Sequence, residues 1–207
     1  MDDNPLVGVA VEGESDRGMV ETLLTHVGLR FDTTKWATKK GSRNLDVLIR
    51  KFSRATLAEP WVVFRDTDGR CPVDLQRGLL EEAQPIEEAS PSRKFLLQLV
   101  HPMTESWLLA DTAGFASHFQ IKHHRVPRDP ESLSHAKATL LGLCQESQSR
   151  LLRKDMVSHD QPGPLYVLRL NEYARERWNA AVAAQASPSL KRAVSRLQTW
   201  RESLLAH

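Results

Sequence analysis

Apolar positions along the chain follow two periods, and the switches between them define its elements. Leu6 to Val11 is a short β-branched run that stops at Glu12-Gly13, as a buried strand does at a turn. The period then becomes helical: Ser15 or Asp16 can cap a helix carrying Met19, Val20, Leu23, Leu24 and Val27, and Gly28 can end it. Leu29 to Thr33 reads as a second strand, and Lys39-Lys40-Gly41-Ser42 as a break before a helix bearing Leu45, Leu48, Ile49 and Phe52. Pro60 to Arg65 is a third strand leading into Asp66-Thr67-Asp68-Gly69, with residues 72–83 helical behind it.

Arg93 to Val100 predicts a fourth strand, followed by a helix from Thr104 to Leu109 with Glu105 in its first turn. Beyond that the strand signal fades. Residues 112–134 read as irregular, 135–147 as helix, 156–165 as loop, and about 172–186 and 189–205 as two closing helices. The expected fold is an α/β one, a parallel-sheet core with helices on both faces and a C-terminal helical elaboration. Its expected division is a core over residues 1–111 and an elaboration of the same domain over 112–207. No internal repeat or low-complexity tract interrupts it.

Strands alternating with helices pair in parallel through right-handed crossovers, so successive strand C-termini reach one edge, where ligands bind in such sheets. Glu12 and the Asp66/Asp68 pair follow the first and third strands and are expected to meet there. Residues i and i+2 of an extended strand point the same way, which would project Asp66 and Asp68 together. Asp16 lies one helical turn beyond Glu12 and can face the same pocket. Converging carboxylates repel unless a cation joins them, and hard oxygen ligands suit Mg²⁺ or Mn²⁺. Such ions activate water and polarise phosphoryl oxygens, so phosphodiester hydrolysis is the natural reaction. Asp-Thr-Asp-Gly taken alone equally describes an acidic cap after a strand.

Four segments together resemble the Toprim superfamily: Val11-Glu12-Gly13-Glu14-Ser15-Asp16, Lys40 to Leu45, Val62 to Asp68, and Pro102 to Asp111. More closely, they resemble the domain of unknown function 4276 family, whose Toprim site is similar to that of the overcoming-lysogenization-defect nucleases. The resemblance implies that Glu12, Asp66 and Asp68 are catalytic metal ligands, with Asp16 and Glu105 as further ligands and Asp111 a weaker candidate. It also implies that Lys137 is the late lysine aimed at a transition-state phosphate. Solvation at the surface is the alternative for Lys137, and complementing a helix dipole the alternative for Glu105. Lys40 and Arg43, around a glycine-bearing turn, are candidate phosphate or nucleic-acid contacts. Trp107, among helical leucines, reads as a core anchor.

Two functions follow from the resemblance. One is a metal-dependent nuclease acting on nucleic acid, DNA ahead of RNA, as the effector beside an ATPase partner in anti-phage defence. The other is a non-catalytic metal- or phosphate-binding module that regulates such an ATPase through its C-terminal helices. Arg192, Arg196, Leu197, Trp200, Arg201 and Leu204 offer those helices a docking face.

Composition changes this picture little. Hydrophobic residues make up 41% and charged residues 26%, and no run approaches the ~20 apolar residues of a membrane span. The acidic start differs from a secretory signal, so a cytoplasmic location is expected. Cys71 and Cys144 lack disulfide or zinc spacing, and His118, His123 and His124, without acidic partners at useful spacing, read as surface residues. The net charge is +2, but residues 150–207 carry ten Lys/Arg against five Asp/Glu, which makes the tail a candidate phosphate-contacting surface. Tyr166 and Tyr173 are the only tyrosines that could act as DNA nucleophiles, and the chain lacks strand-passage domains, which argues against a topoisomerase.

Overall fold

The structure, a computed structural model, describes residues 4–81 and 93–206. Its centre is a four-stranded sheet in which every pairing is parallel: β1 (Leu6–Val11), β2 (Arg30–Thr38), β3 (Trp61–Asp66) and β4 (Phe95–Val100), in the order β2-β1-β3-β4. The chain steps from β1 to β2 on one side and then crosses back to β3 on the other. With right-handed crossovers, that reversal sends the connecting helices to opposite faces and opens a crevice between the C-termini of β1 and β3.

Strand alternation supplies both layers. Val7, Val9, Val11, Val62, Phe64, Leu96 and Val100 point to one face, where α1 (Arg17–His26) packs Met19, Val20, Leu23 and Leu24 against them. Ala10, Val63, Phe95, Leu97 and Leu99 point to the other, under Leu45 and Ile49 of α2 (Ser42–Arg54) and Leu75 and Leu79 of α3 (Pro72–Glu81). The first layer continues through α4 (Thr104–Ala110), α5 (Thr112–His118), α6 (Ala136–Gln145), α7 (Arg150–Met156), α8 (Tyr166–Glu176), α9 (Ala180–Ala186) and α10 (Pro188–Leu205). One hydrophobic cluster therefore runs from Val7 to Trp200, joining the C-terminal helices to the sheet.

The α/β architecture expected from the sequence is present, with several local differences. β2 extends to Thr38 because Asp32 accepts hydrogen bonds from Thr34 N and Oγ1, folding Asp32–Lys35 outward before Trp36 rejoins β1. Residues 82 and 83 of the helix expected over 72–83 lie outside the described residues. The segment expected to be irregular contains α5, capped by the Asp111 side chain, which accepts from Gly114 N. α7, capped by Ser149, falls where no element was expected, and the loop expected at 156–165 holds a minimal hairpin of β5 (Val157–Ser158) and β6 (Gln161–Pro162). The helix expected over 172–186 is two helices, α8 and α9, broken where Asn179 caps the second. Among the described residues, no helix is long and apolar enough to cross a membrane.

α10 does not present the expected docking face. Leu190, Ala193, Leu197 and Trp200 lie in the core, Trp200 Nε1 donates to Arg93 O, and Arg201 donates to Gly28 O and Asn4 Oδ1. His118 also departs from its surface assignment, since its ring packs against Phe119 and Tyr173. Cys144 is buried, which pushes its thiol up to about 12, while Cys71 is exposed.

Candidate active site

Strand β1 ends at Val11, and the chain turns so that Gly41 N donates to Glu12 O while the Glu12 carboxylate accepts from the backbone of Ser42. The orphan N-terminus of α2 thus meets an acid on the neighbouring strand end. Lys40 and Gly41 adopt positive φ here, 54° and 115°, to make that tight passage. Gly13–Asp16 forms a single turn in which Gly13 N donates to Asp16 Oδ2 at 2.8 Å, fixing the buried Asp16 carboxylate at the sheet edge.

The Asp-x-Asp pair behaves differently from strand alternation. Asp66 is the last residue of β3, and its Oδ1 accepts from Thr104 N and Thr104 Oγ1, both at 3.2 Å. Asp68 lies beyond the strand with φ 53°, so its half-exposed side chain swings toward Arg65 rather than running parallel to Asp66.

Arg65 is the centre of this second grouping. It is 1% exposed on the α2 and α3 face, where Nε donates to Asp46 Oδ1 at 2.9 Å and Nη1 to Asp68 Oδ2 at 3.1 Å, Glu12 Oε2 at 3.3 Å and the Asp66 carbonyl. On the opposite face, Tyr166 Oη donates to the buried Glu105 Oε1 at 2.9 Å, and Lys137 Nζ stands 5.2 Å from the Tyr166 ring centre.

These groups open onto one cleft of about 350 Å³, lined by Glu12, Gly13, Ser15, Asp16, Lys40, Gly41, Asp66, Asp68, Met103, Glu105 and Lys137. Five of the six acids named from the sequence are there, as are Lys40 and Lys137. Arg43 is not; it lies exposed in the first turn of α2, outside the cleft. Asp111 is excluded as a ligand candidate, because Gly114 N and Asn179 N occupy its two oxygens as the cap joining α5 to α9. Trp107 is fully buried and donates to His101 O and Ser189 Oγ.

The acids load the cleft with negative potential. Burial, followed by the charges of Asp16, Glu105, Glu12 and Asp68, holds the Asp66 carboxyl well above the usual carboxylate range. Burial raises Asp16 to about 6, against the Gly13 hydrogen bond that favours its charged form. Glu12 is also raised, by desolvation, although Arg65 opposes the shift.

Arg65, Asp46 and Thr104 were not singled out by sequence reasoning, and Tyr166 was named only as a rejected nucleophile, not as a partner of Glu105. For Arg65 a signal existed: a cation inside the buried strand Trp-Val-Val-Phe-Arg-Asp needs a partner. Tyr166 had none, since its contact with Glu105 spans 61 residues.

The donor chemistry fits a hard cation: the acids are all oxygen ligands, and among the described residues no His or Cys lines the cleft. Among the described residues, no three His, Cys, Asp or Glu side chains are drawn together around a metal position. Comparison of the chain with protein-family models, with curated proteins and with solved structures found no match in any of the three.

Proposed function

We propose that this chain is a divalent-metal-dependent phosphodiesterase of the Toprim type, with nucleic acid as its substrate. The observation carrying this reading is the gathering of Glu12, Asp16, Asp66, Asp68 and Glu105, with Lys40 and Lys137, on one cleft at the C-terminal edge of a parallel sheet. Burying that much like charge is costly, and the cost is relieved by a bound cation.

Glu12, Asp66 and Asp68 are the residues that would hold Mg²⁺ or Mn²⁺, with Asp16 or Glu105 completing the set. A metal bound there supplies Lewis-acid polarisation and a more acidic water. The chain's own groups do the positioning. Arg65 and Ser42 N aim Glu12, Thr104 fixes Asp66, and Tyr166 fixes Glu105. Lys40 and Lys137 line the cleft as cations able to face a phosphate's non-bridging oxygens. An ATPase partner in an anti-phage system, and a cytoplasmic setting, belong to the same proposal through the motif resemblance.

A second reading, a non-catalytic metal- or phosphate-binding module, draws on a specific contact: Arg65 already compensates Glu12 and Asp68 without a metal. One experiment separates the two. Plasmid, linear and single-stranded DNA and RNA are incubated with Mg²⁺ or Mn²⁺, comparing wild type, Asp66→Ala/Asp68→Ala and EDTA controls, with metal binding followed by calorimetry. Metal-dependent cutting lost in the folded double variant supports the enzyme. Metal binding without cutting by the wild type supports the module, and neither binding nor cutting overturns both.

A further inference from the structure

Helix α1 begins at an aspartate that does not cap it. Asp16 occupies the N-cap position, where a carboxylate ordinarily accepts from the second or third N–H of the helix. Here Asp16 continues the preceding turn with φ −83° and ψ −18°, and its side chain makes no bond to α1. Its Oδ2 turns back to Gly13 N at 2.8 Å and its Oδ1 stands 3.4 Å from Ser15 Oγ, on the wall of the acidic cleft.

The missing cap comes from α8. Asn171, 7% exposed, accepts from Gly18 N, the second N–H of α1, at 2.6 Å through Oδ1, and its Nδ2 donates to Glu14 O at 2.9 Å. The two contacts settle which way the amide faces, since Gly18 N only donates and Glu14 O only accepts. One side chain thus clamps the backbone on both sides of Asp16, two residues before it and two after. This close approach accounts for Gly18, where a Cβ would lie 2.8 Å from Asn171 Cα and O. One turn further along, Thr22 Oγ1 donates to Ala174 O at 2.8 Å and holds the same two helices together.

We infer that Asn171 is a positioning residue for the acidic cleft: by capping α1 in place of Asp16, it leaves the Asp16 carboxylate to a divalent cation. The inference rests on the proposed metal-dependent reading and deepens it by assigning the group that keeps Asp16 in the ligand set. Without the Asn171 amide, the buried Gly18 N–H loses its acceptor, and the carboxylate placed by the sequence to supply one is that of Asp16. Satisfying the helix then draws a ligand out of the cleft. Because Tyr166 of the same helix holds Glu105, α8 sets two of the cleft acids from outside the sheet.

The test measures Mn²⁺ binding by calorimetry on the full-length chain, in a double-mutant cycle of Asn171→Ala and Asp16→Ala, with thermal melts on every variant. Two further variants accompany it. Thr22→Val loosens the same pair of helices without touching the cap. Asn171→Asp keeps an acceptor for Gly18 N, and its added negative charge can only favour a cation. Expected is a loss of roughly tenfold or more in Mn²⁺ affinity for Asn171→Ala, as for other groups that orient a ligand. The same change made in Asp16→Ala should cost less than about twofold further, because the group it acts through is already gone. Thr22→Val and Asn171→Asp should stay within roughly threefold of wild type.

Equal losses from Asn171→Ala in both backgrounds overturn the positioning role while leaving the metal site in place. So does a loss in Thr22→Val matching that of Asn171→Ala, or wild-type affinity in either Asn171→Ala or Asp16→Ala. If Asn171→Ala does not fold, the folded Asn171→Asp decides: retained affinity supports the role and a tenfold loss overturns it. A wild type that does not bind Mn²⁺ removes the metal-dependent reading itself, and this inference with it.

Discussion

Arg65 Nη1 stands 3.3 Å from Glu12 Oε2, tying the end of β3 to the end of β1 across 53 residues of sequence. The same guanidinium reaches Asp46 and Asp68, so one buried cation organises three acids around the cleft. Its planar fork allows this, and an ammonium would not. Arg65→Met is expected to lose about 2–4 kcal/mol of stability by urea unfolding, because it leaves three acids facing one another with no counterion. Arg65→Lys should fall between that variant and wild type. A melt unchanged in Arg65→Met would show that the acids are stable without their cation.

The carboxylates on the other side of the cleft set a pH dependence of opposite sign to that of an ordinary ion pair. Asp66 is raised well above the usual range and Asp16 to about 6, so the native state holds protons that the unfolded chain releases near pH 4. Stability in EDTA is therefore greatest below pH 4 as far as these groups are concerned, and it declines as pH rises through about 6. Asp66→Asn, which keeps Oδ1 for Thr104, should flatten that decline and raise stability at pH 7.5 by about 1–3 kcal/mol. Thermal melts from pH 5 to 8 check this, and a variant that melts at or below wild type at pH 7.5 would count against repulsion in the cluster.

Part of this site was legible because parallel topology acts on simple signals. Glu12 and Asp66 each end an apolar strand run, and adjacency of β1 and β3 brings them together. The relation of Asp66 to Asp68 was not legible, since alternation holds only while the strand continues, and Asp68 turns away at positive φ. Contacts such as Asn171 Oδ1 with Gly18 N at 2.6 Å, or Tyr166 with Glu105, join segments whose periodicity says nothing about one another. The short helices α5 and α7 were missed because seven residues offer only two turns of pattern. Their caps, Asp111 and Ser149, were the available signals.

Tyr166 is a positioning residue in this arrangement, and its buried hydroxyl is not a free nucleophile. Burial and the Glu105 carboxylate both hold its pKa far above the ordinary tyrosine value, so it remains a donor. Tyr166→Phe should cost about 1 kcal/mol in stability. It should weaken Mn²⁺ binding roughly tenfold in calorimetry, as loss of a group orienting a ligand does. Wild-type metal affinity in Tyr166→Phe would remove Glu105 from the ligand set.

Lys137 separates binding of metal from stabilisation of the phosphate. It lies exposed at the start of α6, with its ammonium beside the Tyr166 ring and its side chain on the cleft wall. It makes no ion pair with the cleft acids in the described structure, so its removal leaves their mutual geometry in place. Lys137→Met should therefore keep the wild-type melting temperature within a degree or two. It should also keep or slightly strengthen Mn²⁺ binding, since a competing positive charge is gone. Cleavage is where the loss belongs: a cation aimed at developing phosphoryl charge contributes on the order of 10²-fold in kcat. Lys137→Arg, which restores charge with a different shape, should recover part of that loss. Weakened metal binding with unchanged cleavage per bound metal would place Lys137 with the structural surface of α6 rather than with the chemistry.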